Sequence, residues 1–301
     1  MLAEDRTAIV TGATGSLGQE TAKAIAAAQP HWHVVLAARD VDRAAQAAQG
    51  IPNAHPRALD LASLASVRAF AREQAESALP PLGAIVCNAG IQIVTGATFT
   101  EDGIETTFQV NHLAHFLLVS LLLDRLASPA RVVFVSSGTH DPSKRTGMPK
   151  PAYTTAEALA HPHTEGEDAG VEGRRRYTTA KLCNVLCAYE LARRAPELVT
   201  ANAFDPGLMP GTGLGRDYSA VQRFAWNHVM PALTPVVPNV NTPKRSGAAL
   251  ARLAVNPALE GVTGAYFMGR KPVASSQASY DRRKARDLWE TSERLTAEAV
   301  S

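Results

Sequence analysis

Thr7-Ala8-Ile9-Val10-Thr11-Gly12-Ala13-Thr14-Gly15-Ser16-Leu17-Gly18 is the stretch on which the fold of this chain turns. Its first four residues form a short β-branched, apolar run that reads as a buried strand. The glycine-rich turn after it flows into Gln19 to Ala28, an alanine-rich segment that reads as a helix. Strand, glycine turn and helix follow one another without a gap. In such a unit the glycines let the backbone approach phosphate, and the helix start offers unpaired N–H groups and a positive dipole end. A dinucleotide pyrophosphate therefore belongs at Gly12, Thr14, Gly15, Ser16, Leu17 and Gly18, against the plainer alternative of a tight turn with no ligand.

The second apolar run, His33-Val34-Val35-Leu36-Ala37-Ala38, ends at Arg39. An acid would be expected about 20 residues after the glycines if a ribose 2′-hydroxyl were gripped, whereas an arginine suits a 2′-phosphate. Arg39 thus favours NADP(H) over NAD(H). Asp40 follows at once and would reclaim NAD(H) binding if it, rather than Arg39, faced the ribose.

Tyr177-Thr178-Thr179-Ala180-Lys181 opens a helical pattern that runs to Arg194. Spacing of four puts phenol and ammonium on one helix face, about one turn apart. A nearby cation favours phenolate, so a tyrosine that ordinarily titrates near pH ~10 can exchange a proton closer to neutrality. Alone, this pair is commonplace on solvated helices; beside the glycine turn it reads as a proton donor and acceptor.

The 301 residues are 46% hydrophobic, enough for a sizeable core without disulfides or metal. A net charge of +2 supplies no field that would draw the chain to nucleic acid or an acidic membrane. Arg174-Arg175-Arg176 reads as a solvated loop edge. Cys87, Cys183 and Cys187 make an odd count, and no secretory pattern precedes the first strand, so the expected setting is a reducing cytoplasm. The longest apolar stretch, Phe116 to Leu123, is too short to span a bilayer, so no stable membrane insertion is expected.

Further strands are expected at Ala54 to Leu59, Ala84 to Cys87, Arg131 to Val135, Val199 to Phe204 and Gly264 to Met268. Helices are expected at Ser63 to Ser77, Glu101 to Ala127, Tyr177 to Arg194, Pro243 to Val255 and from Arg282 to about Ala297. This alternation predicts an α/β fold: one doubly wound, mostly parallel sheet of about seven strands flanked by helices, with ligands at the carboxyl ends of the strands. Two segments break the rhythm, 141–176 and 207–242, and read as an insertion and a loop that rim a substrate site.

Taken together these motifs resemble the short-chain dehydrogenase/reductase family, over nearly the whole chain. Asn88-Ala89-Gly90 is similar to the family element that steadies the sheet beside the adenosine, and Asp60-Leu61 to its adenine contact. Asn111, within Val110-Asn111-His112-Leu113-Ala114-His115-Phe116, matches the asparagine that interrupts the long helix and holds a proton-relay water. Ser137 matches the catalytic serine, and Pro206-Gly207 resembles the turn that closes over the nicotinamide, with Thr212 as the threonine expected soon after. Val110 to Leu118, Tyr177 to Glu190 and Lys284 to Glu290 look most like the retinol dehydrogenase-like and protochlorophyllide reductase-like branches.

The resemblance implies a single NADP(H)-binding Rossmann domain over residues 1–301. It implies hydride exchange with a carbonyl or alcohol, with Asn111, Ser137, Tyr177 and Lys181 catalytic and Tyr177 and Lys181 also touching the cofactor. It leaves homodimer pairing through the long helices and a monomer both open. Ser16 stands where the single-domain branch usually has its middle glycine, and residues 138 to 176 separate Ser137 from Tyr177 where the family commonly has a dozen or so. Leu208 and Gly90 replace residues usual in protochlorophyllide reductases, which argues against light-driven C=C reduction. Val94, Leu208, Met209, Phe224 and Trp226 suggest a medium or large hydrophobic substrate. A catalytically silent NADP(H) sensor or scaffold is the rival reading. A metal hydrolase built on His112/His115 or His161/His163 lacks a clear third ligand, so no metal is expected.

Overall fold

The computed structural model describes residues 4–166, 168–209 and 240–297. One eight-stranded sheet runs in the order β3-β2-β1-β4-β5-β6-β7-β8. Its strands are β1 (Arg6–Thr11), β2 (Trp32–Ala38), β3 (Ala54–Ala58), β4 (Leu82–Cys87), β5 (Leu126–Val135), β6 (Val199–Asp205), β7 (Tyr266–Met268) and β8 (Lys271–Val273). All neighbours pair in parallel except β7 and β8. The fold class expected from the chain is the one observed, with one strand more. Lys271-Pro272-Val273 escapes pattern reading because it is three residues long and largely exposed, and its proline suits an outer edge.

Alternation along β1 explains the two layers. Ala8 and Val10 point into one apolar cluster with α1 (Ser16–Ala28) and the helix Pro243–Val255; Ile9 points into the other with α3 (Leu64–Ala75) and the helix Ala169–Arg194. A parallel central strand covered on both faces must be apolar throughout, and residues 8–10 of β1 are fully buried. The short α2 (Val41–Ala48), capped by Asp40, joins β2 to β3.

The long helix expected from Glu101 begins later. Phe99 and Glu105 form an antiparallel bridge, and the buried Glu105 carboxylate caps the helix by accepting from Phe108 N at 2.7 Å. We label Thr106–Arg125 α4; one turn of it, Gln109–Leu113, widens to π-helical geometry around Asn111. By length and composition this helix would suffice to cross a membrane, which the run Phe116 to Leu123 alone would not, but most of it is buried within the fold.

The segment 141–176 is also more ordered in form than its composition suggests. It contains α5 (Ala156–Ala160), and from Ala169 onward it is already helix: α6 runs Ala169–Arg194, capped by Asp168. Arg174-Arg175-Arg176 therefore lies on a helix rather than a loop edge, with Arg175 paired to Glu172 one turn back. Apolar periodicity starts only at Tyr177 because the first two turns carry a mostly polar face.

After α7 (Pro243–Val255), the last helix α8 (Arg282–Thr296) packs on α4, α5 and α6. Trp289 meets Phe116 edge-on at 4.9 Å between ring centres, and the Ser292 hydroxyl lies 3.1 Å from His112 Nε2. Asp287 accepts from Tyr153 OH at 2.7 Å and from Ala156 N at 2.8 Å, which ties the inserted segment to the C-terminal helix.

His112 and His115 on α4 are both fully buried, and burial lowers their pKa values to about 3 and about 4. Both stay neutral in the folded chain, while the unfolded chain takes up protons below about pH 6.5. Their stability contribution is whole above that pH and is lost as pH falls toward 4 and 3. The two rings should therefore contribute about 3–4 kcal/mol in favour of pH 7 over pH 5, at ~1.4 kcal/mol per unit for each ring, with buried His140 adding to the difference and buried Glu105 opposing it; in urea unfolding, a His112→Phe/His115→Phe chain that keeps the full pH 7 to pH 5 difference of the unaltered chain would contradict this.

Candidate active site

Gly12 follows β1 with φ +65°, a conformation side chains rarely adopt, and a Cβ there would lie 2.9 Å from Ala89 Cα. A Cβ at Gly18 would lie 2.5 Å from the Gly12 carbonyl oxygen, so the turn admits only hydrogen at both places. Gly15 starts α1 with no side-chain cap and no acid in the first turn. Each of α2 to α8 instead begins on a capping side chain: Asp40, Ser63, Glu105, Thr155, Asp168, Thr242 or Asp281. Thr14 is half-buried, Gly15 and Ser16 are exposed, and Leu17 is buried beneath them. An uncapped helix start with backbone this accessible fits a pyrophosphate.

Arg39 and Asp40 part ways in the structure. The Asp40 carboxylate accepts from Arg43 N at 3.0 Å as the cap of α2. Arg39 is exposed, and its guanidinium has no ion pair or hydrogen bond among the described residues. The cation, not the acid, is thus the group left to meet a ligand, which fits a 2′-phosphate. Beyond β3, Asp60 accepts from Ala62 N at 2.9 Å and Leu61 is buried.

The strand order reverses between β1 and β4, where ligands collect in open α/β sheets. Thr11 binds the two strand ends together. Its hydroxyl oxygen accepts from Asn88 N at 2.9 Å and Ala89 N at 3.0 Å, so its own hydrogen is left for His115 Nε2 at 2.8 Å. Asn88 Nδ2 donates back to Thr11 O at 2.8 Å. His115 is hydrogen-bonded at both nitrogens, with Nδ1 at 3.3 Å from the Asn111 carbonyl oxygen.

Asn111, Lys181 and Tyr177 converge around Gly90. Asn111 Oδ1 accepts from Ile91 N at 2.7 Å and its Nδ2 donates to Ile91 O at 2.9 Å, so the side chain is clamped to the loop after β4. A Cβ at Gly90 would lie 3.2 Å from both Asn111 Oδ1 and Lys181 Nζ, which measures how closely the two groups approach. Lys181 is 4% exposed and Tyr177 6%, with the ammonium 5.6 Å from the phenol ring centre. Lys181 Nζ donates to Val135 O at 3.1 Å, and burial lowers its pKa to about 8. Ser136 at the end of β5 donates to Lys181 O at 2.7 Å, and Ser137 beside it accepts from Thr139 N at 3.3 Å.

Beyond β6, Asp205 Oδ1 accepts from Gly207 N at 2.9 Å, and the Pro206 carbonyl accepts from Asn241 Nδ2 at 3.0 Å and Ser246 Oγ at 2.7 Å. This closes the Pro206-Gly207 turn on the start of α7. Leu208 is 42% exposed and Met209 is buried. Thr212, Phe224 and Trp226, with most of the loop 207–242, lie outside the described residues. His161 pairs with Glu157 on the surface, and among the described residues no group of three or more His, Cys, Asp or Glu could hold a metal ion. Thr11 and His140 escaped sequence reading; the one signal for His140 was a histidine three residues after Ser137.

A sheet of this order, with a bare helix start at its switch point, falls in the dinucleotide-binding class of α/β folds. Residues 6–160 match the family model described as short chain dehydrogenase, and residues 214–298 match one described as AcuH dehydrogenase domain. The chain is 38% identical over 303 residues to a WW domain-containing oxidoreductase of Danio rerio, covering 98% of this chain and 69% of that protein. It is 35% identical over 313 residues to a protochlorophyllide reductase of Avena sativa, covering 95% and 98%. Among solved structures, an uncharacterized protein from Mycobacterium Paratuberculosis superposes with TM-score 0.70 at 28% identity, covering 97% of this chain and 94% of that one. The chain belongs to the short-chain dehydrogenase/reductase family of oxidoreductases, in the branch that includes the protochlorophyllide reductases.

Lys181 carries a testable cost. An unfolded lysine keeps its proton to about pH 10.5 and the folded one only to about 8, so desolvation weighs against the folded chain below pH 8 and fades as pH rises toward 10.5. Lys181→Met leaves Val135 O its second donor, Asn184 Nδ2 at 3.0 Å. The variant should gain about 1–3 kcal/mol of unfolding free energy in urea at pH 7 and less at pH 10; a loss at pH 7 would contradict this.

Proposed function

We propose that the chain is an NADP(H)-dependent oxidoreductase acting on a carbonyl/alcohol pair, with Tyr177 as the proton donor and acceptor. The observation that carries the reading is the buried Tyr177–Lys181 pair set beside Asn111 and Gly90, at the same sheet edge as the uncapped start of α1. A bound dinucleotide supplies or takes up the hydride. Gly12, Thr14, Gly15, Ser16, Leu17 and Gly18 hold its pyrophosphate, Arg39 its 2′-phosphate, and Asp60, Leu61 and Asn88-Ala89-Gly90 flank its adenosine half. Pro206-Gly207 would close over the other half.

In the reducing direction Tyr177 gives its proton to the substrate oxygen while the Ser137 hydroxyl donates a hydrogen bond to that oxygen and steadies its developing charge. Lys181, held charged beside the phenol, favours the phenolate left behind. Its ammonium also reaches the ribose hydroxyls. Asn111, clamped by Ile91, holds the end of a water path from Lys181 to solvent.

Leu208 has no proton to give, so reduction of a C=O bond is favoured over the C=C chemistry named for the protochlorophyllide reductases. Val94, on the loop after β4, and Leu208 and Met209, after β6, are apolar residues beyond the carboxyl ends of their strands and suit a medium or large hydrophobic substrate. A homodimer through α4 and α6 would have to accommodate α8, which packs on both. The three free, buried cysteines are in keeping with a reducing cytoplasm.

Tyr177→Phe should lower turnover of NADPH with a panel of aldehydes, ketones and quinones by about 10²–10⁴-fold while NADPH binding stays nearly intact. Unchanged turnover would remove Tyr177 from the mechanism, and binding without turnover on any member by the unaltered chain would favour a sensor. Arg39→Ala should raise KM for NADPH by about 10–100-fold, the loss of one or two charge-assisted hydrogen bonds, and leave KM for NADH nearly unchanged. Equal effects on both cofactors would place the 2′-phosphate elsewhere.

A further inference from the structure

His140 closes the turn Gly138–His140 that follows Ser137, is fully buried, and has no task in the mechanism above. Its Nδ1 lies 2.7 Å from the Ser137 carbonyl oxygen, and its Nε2 lies 3.1 Å from the backbone nitrogen of Ser276. A backbone N–H can only donate, so Nε2 must offer its lone pair. The single ring hydrogen is then on Nδ1 and is donated to Ser137 O. The imidazole is a neutral bridge with one donor end and one acceptor end.

Burial disfavours the charged ring, against the opposite pull of Asp141 and Asp205 and with the help of Lys144. One ring face packs on Tyr266, 4.8 Å between centres. Tyr266 OH in turn donates to Asp205, the residue that caps the Pro206-Gly207 turn.

Both ends of the bridge are anchored. Ser275 Oγ lies 2.7 Å from Tyr189 OH and 2.7 Å from Ser279 Oγ, and Ser279 Oγ donates to Ser276 O at 2.6 Å. Ser275 N also donates to Tyr280 OH at 3.2 Å, and the rings of Tyr189 and Tyr280 stack. Tyr189 is on α6, the helix that carries Tyr177 and Lys181. The path from Ser276 through His140 therefore sets the backbone of Ser137 against the helix bearing its catalytic partners.

We propose that His140 is a positioning residue for the reaction: its neutral imidazole fixes Ser137 relative to α6, so that the Ser137 hydroxyl meets the same substrate oxygen as Tyr177. The inference rests on the oxidoreductase reading, and its test separates the two.

His140→Gln keeps an acceptor near Ser276 N–H but no donor beside Ser137, whereas His140→Asn keeps the donor beside Ser137. The Gln variant should lose about 10–100-fold in kcat, as expected when a catalytic group is displaced by a fraction of an ångström to an ångström, with KM and NADPH affinity within about threefold of the unaltered chain. The Asn variant should recover most of that loss. On a Ser137→Ala background His140→Gln should cost nothing more, because its effect passes through the Ser137 hydroxyl. Losses that multiply on that background, or full kcat in a folded His140→Gln chain, would overturn the proposal and leave the oxidoreductase reading standing. Imidazole ¹⁵N shifts at pH 7 read the bridge with no substrate: a neutral ring with hydrogen on Nδ1 supports it, and hydrogen on Nε2 refutes it even if no carbonyl is ever reduced.

Discussion

The hydroxyl of Thr11 is the joint on which the site hangs. Where the strand order reverses, β1 and β4 diverge, and the backbone N–H groups of Asn88 and Ala89 leave the ladder. Thr11 accepts both and passes its own hydrogen to His115 on α4. One small side chain thereby holds both N–H groups and couples the glycine turn to the helix that carries Asn111. A valine of the same shape would fill the space but take the acceptor from Ala89 N, at about 1–3 kcal/mol, while Asn88 N would keep the Val86 carbonyl oxygen at 2.9 Å.

Around that joint, polarity is concentrated where a protein core ordinarily excludes it. Asn111, His115, Lys181 and Asn184 are all buried, and each has a partner: Ile91, Thr11 or the Val135 carbonyl. The widened turn at Gln109–Leu113 surrounds Asn111, whose carbonyl oxygen meets His115 Nδ1 and whose side chain reaches the loop after β4. Lys181 is the one member that carries charge into the core, and its lowered pKa shows that the surroundings do not fully repay its lost hydration. A site that destabilises its own lysine gives that group a reason to exchange a proton.

The C-terminal part of the chain supports this centre from behind. Asp287 draws the inserted segment onto α8, Trp289 and Ser292 pack and bond against α4, and the Ser275–Tyr280 segment joins α6 to the turn after Ser137. Loops can vary on such a base because the groups proposed to do the chemistry are held by helices and strand ends rather than by the loops themselves.

Local patterns in the chain determined the α/β class, the glycine turn, the positions of most strands along the chain and the Tyr177–Lys181 spacing, since each depends on residues close in sequence and on periods of 2 or 3.6. Tertiary structure alone decided the rest. Asp40 and Arg39 are equally plausible ligands on paper; only the fold shows that Asp40 is taken up as the cap of α2. The start of α6 at Ala169 was hidden because its first turns carry polar residues, and β8 because three edge residues make no period. Thr11 and His140 gain their meaning from partners more than a hundred residues away in the chain, and a hydrogen bond between such distant residues leaves no trace in spacing: it exists only once the sheet has brought its strand ends together.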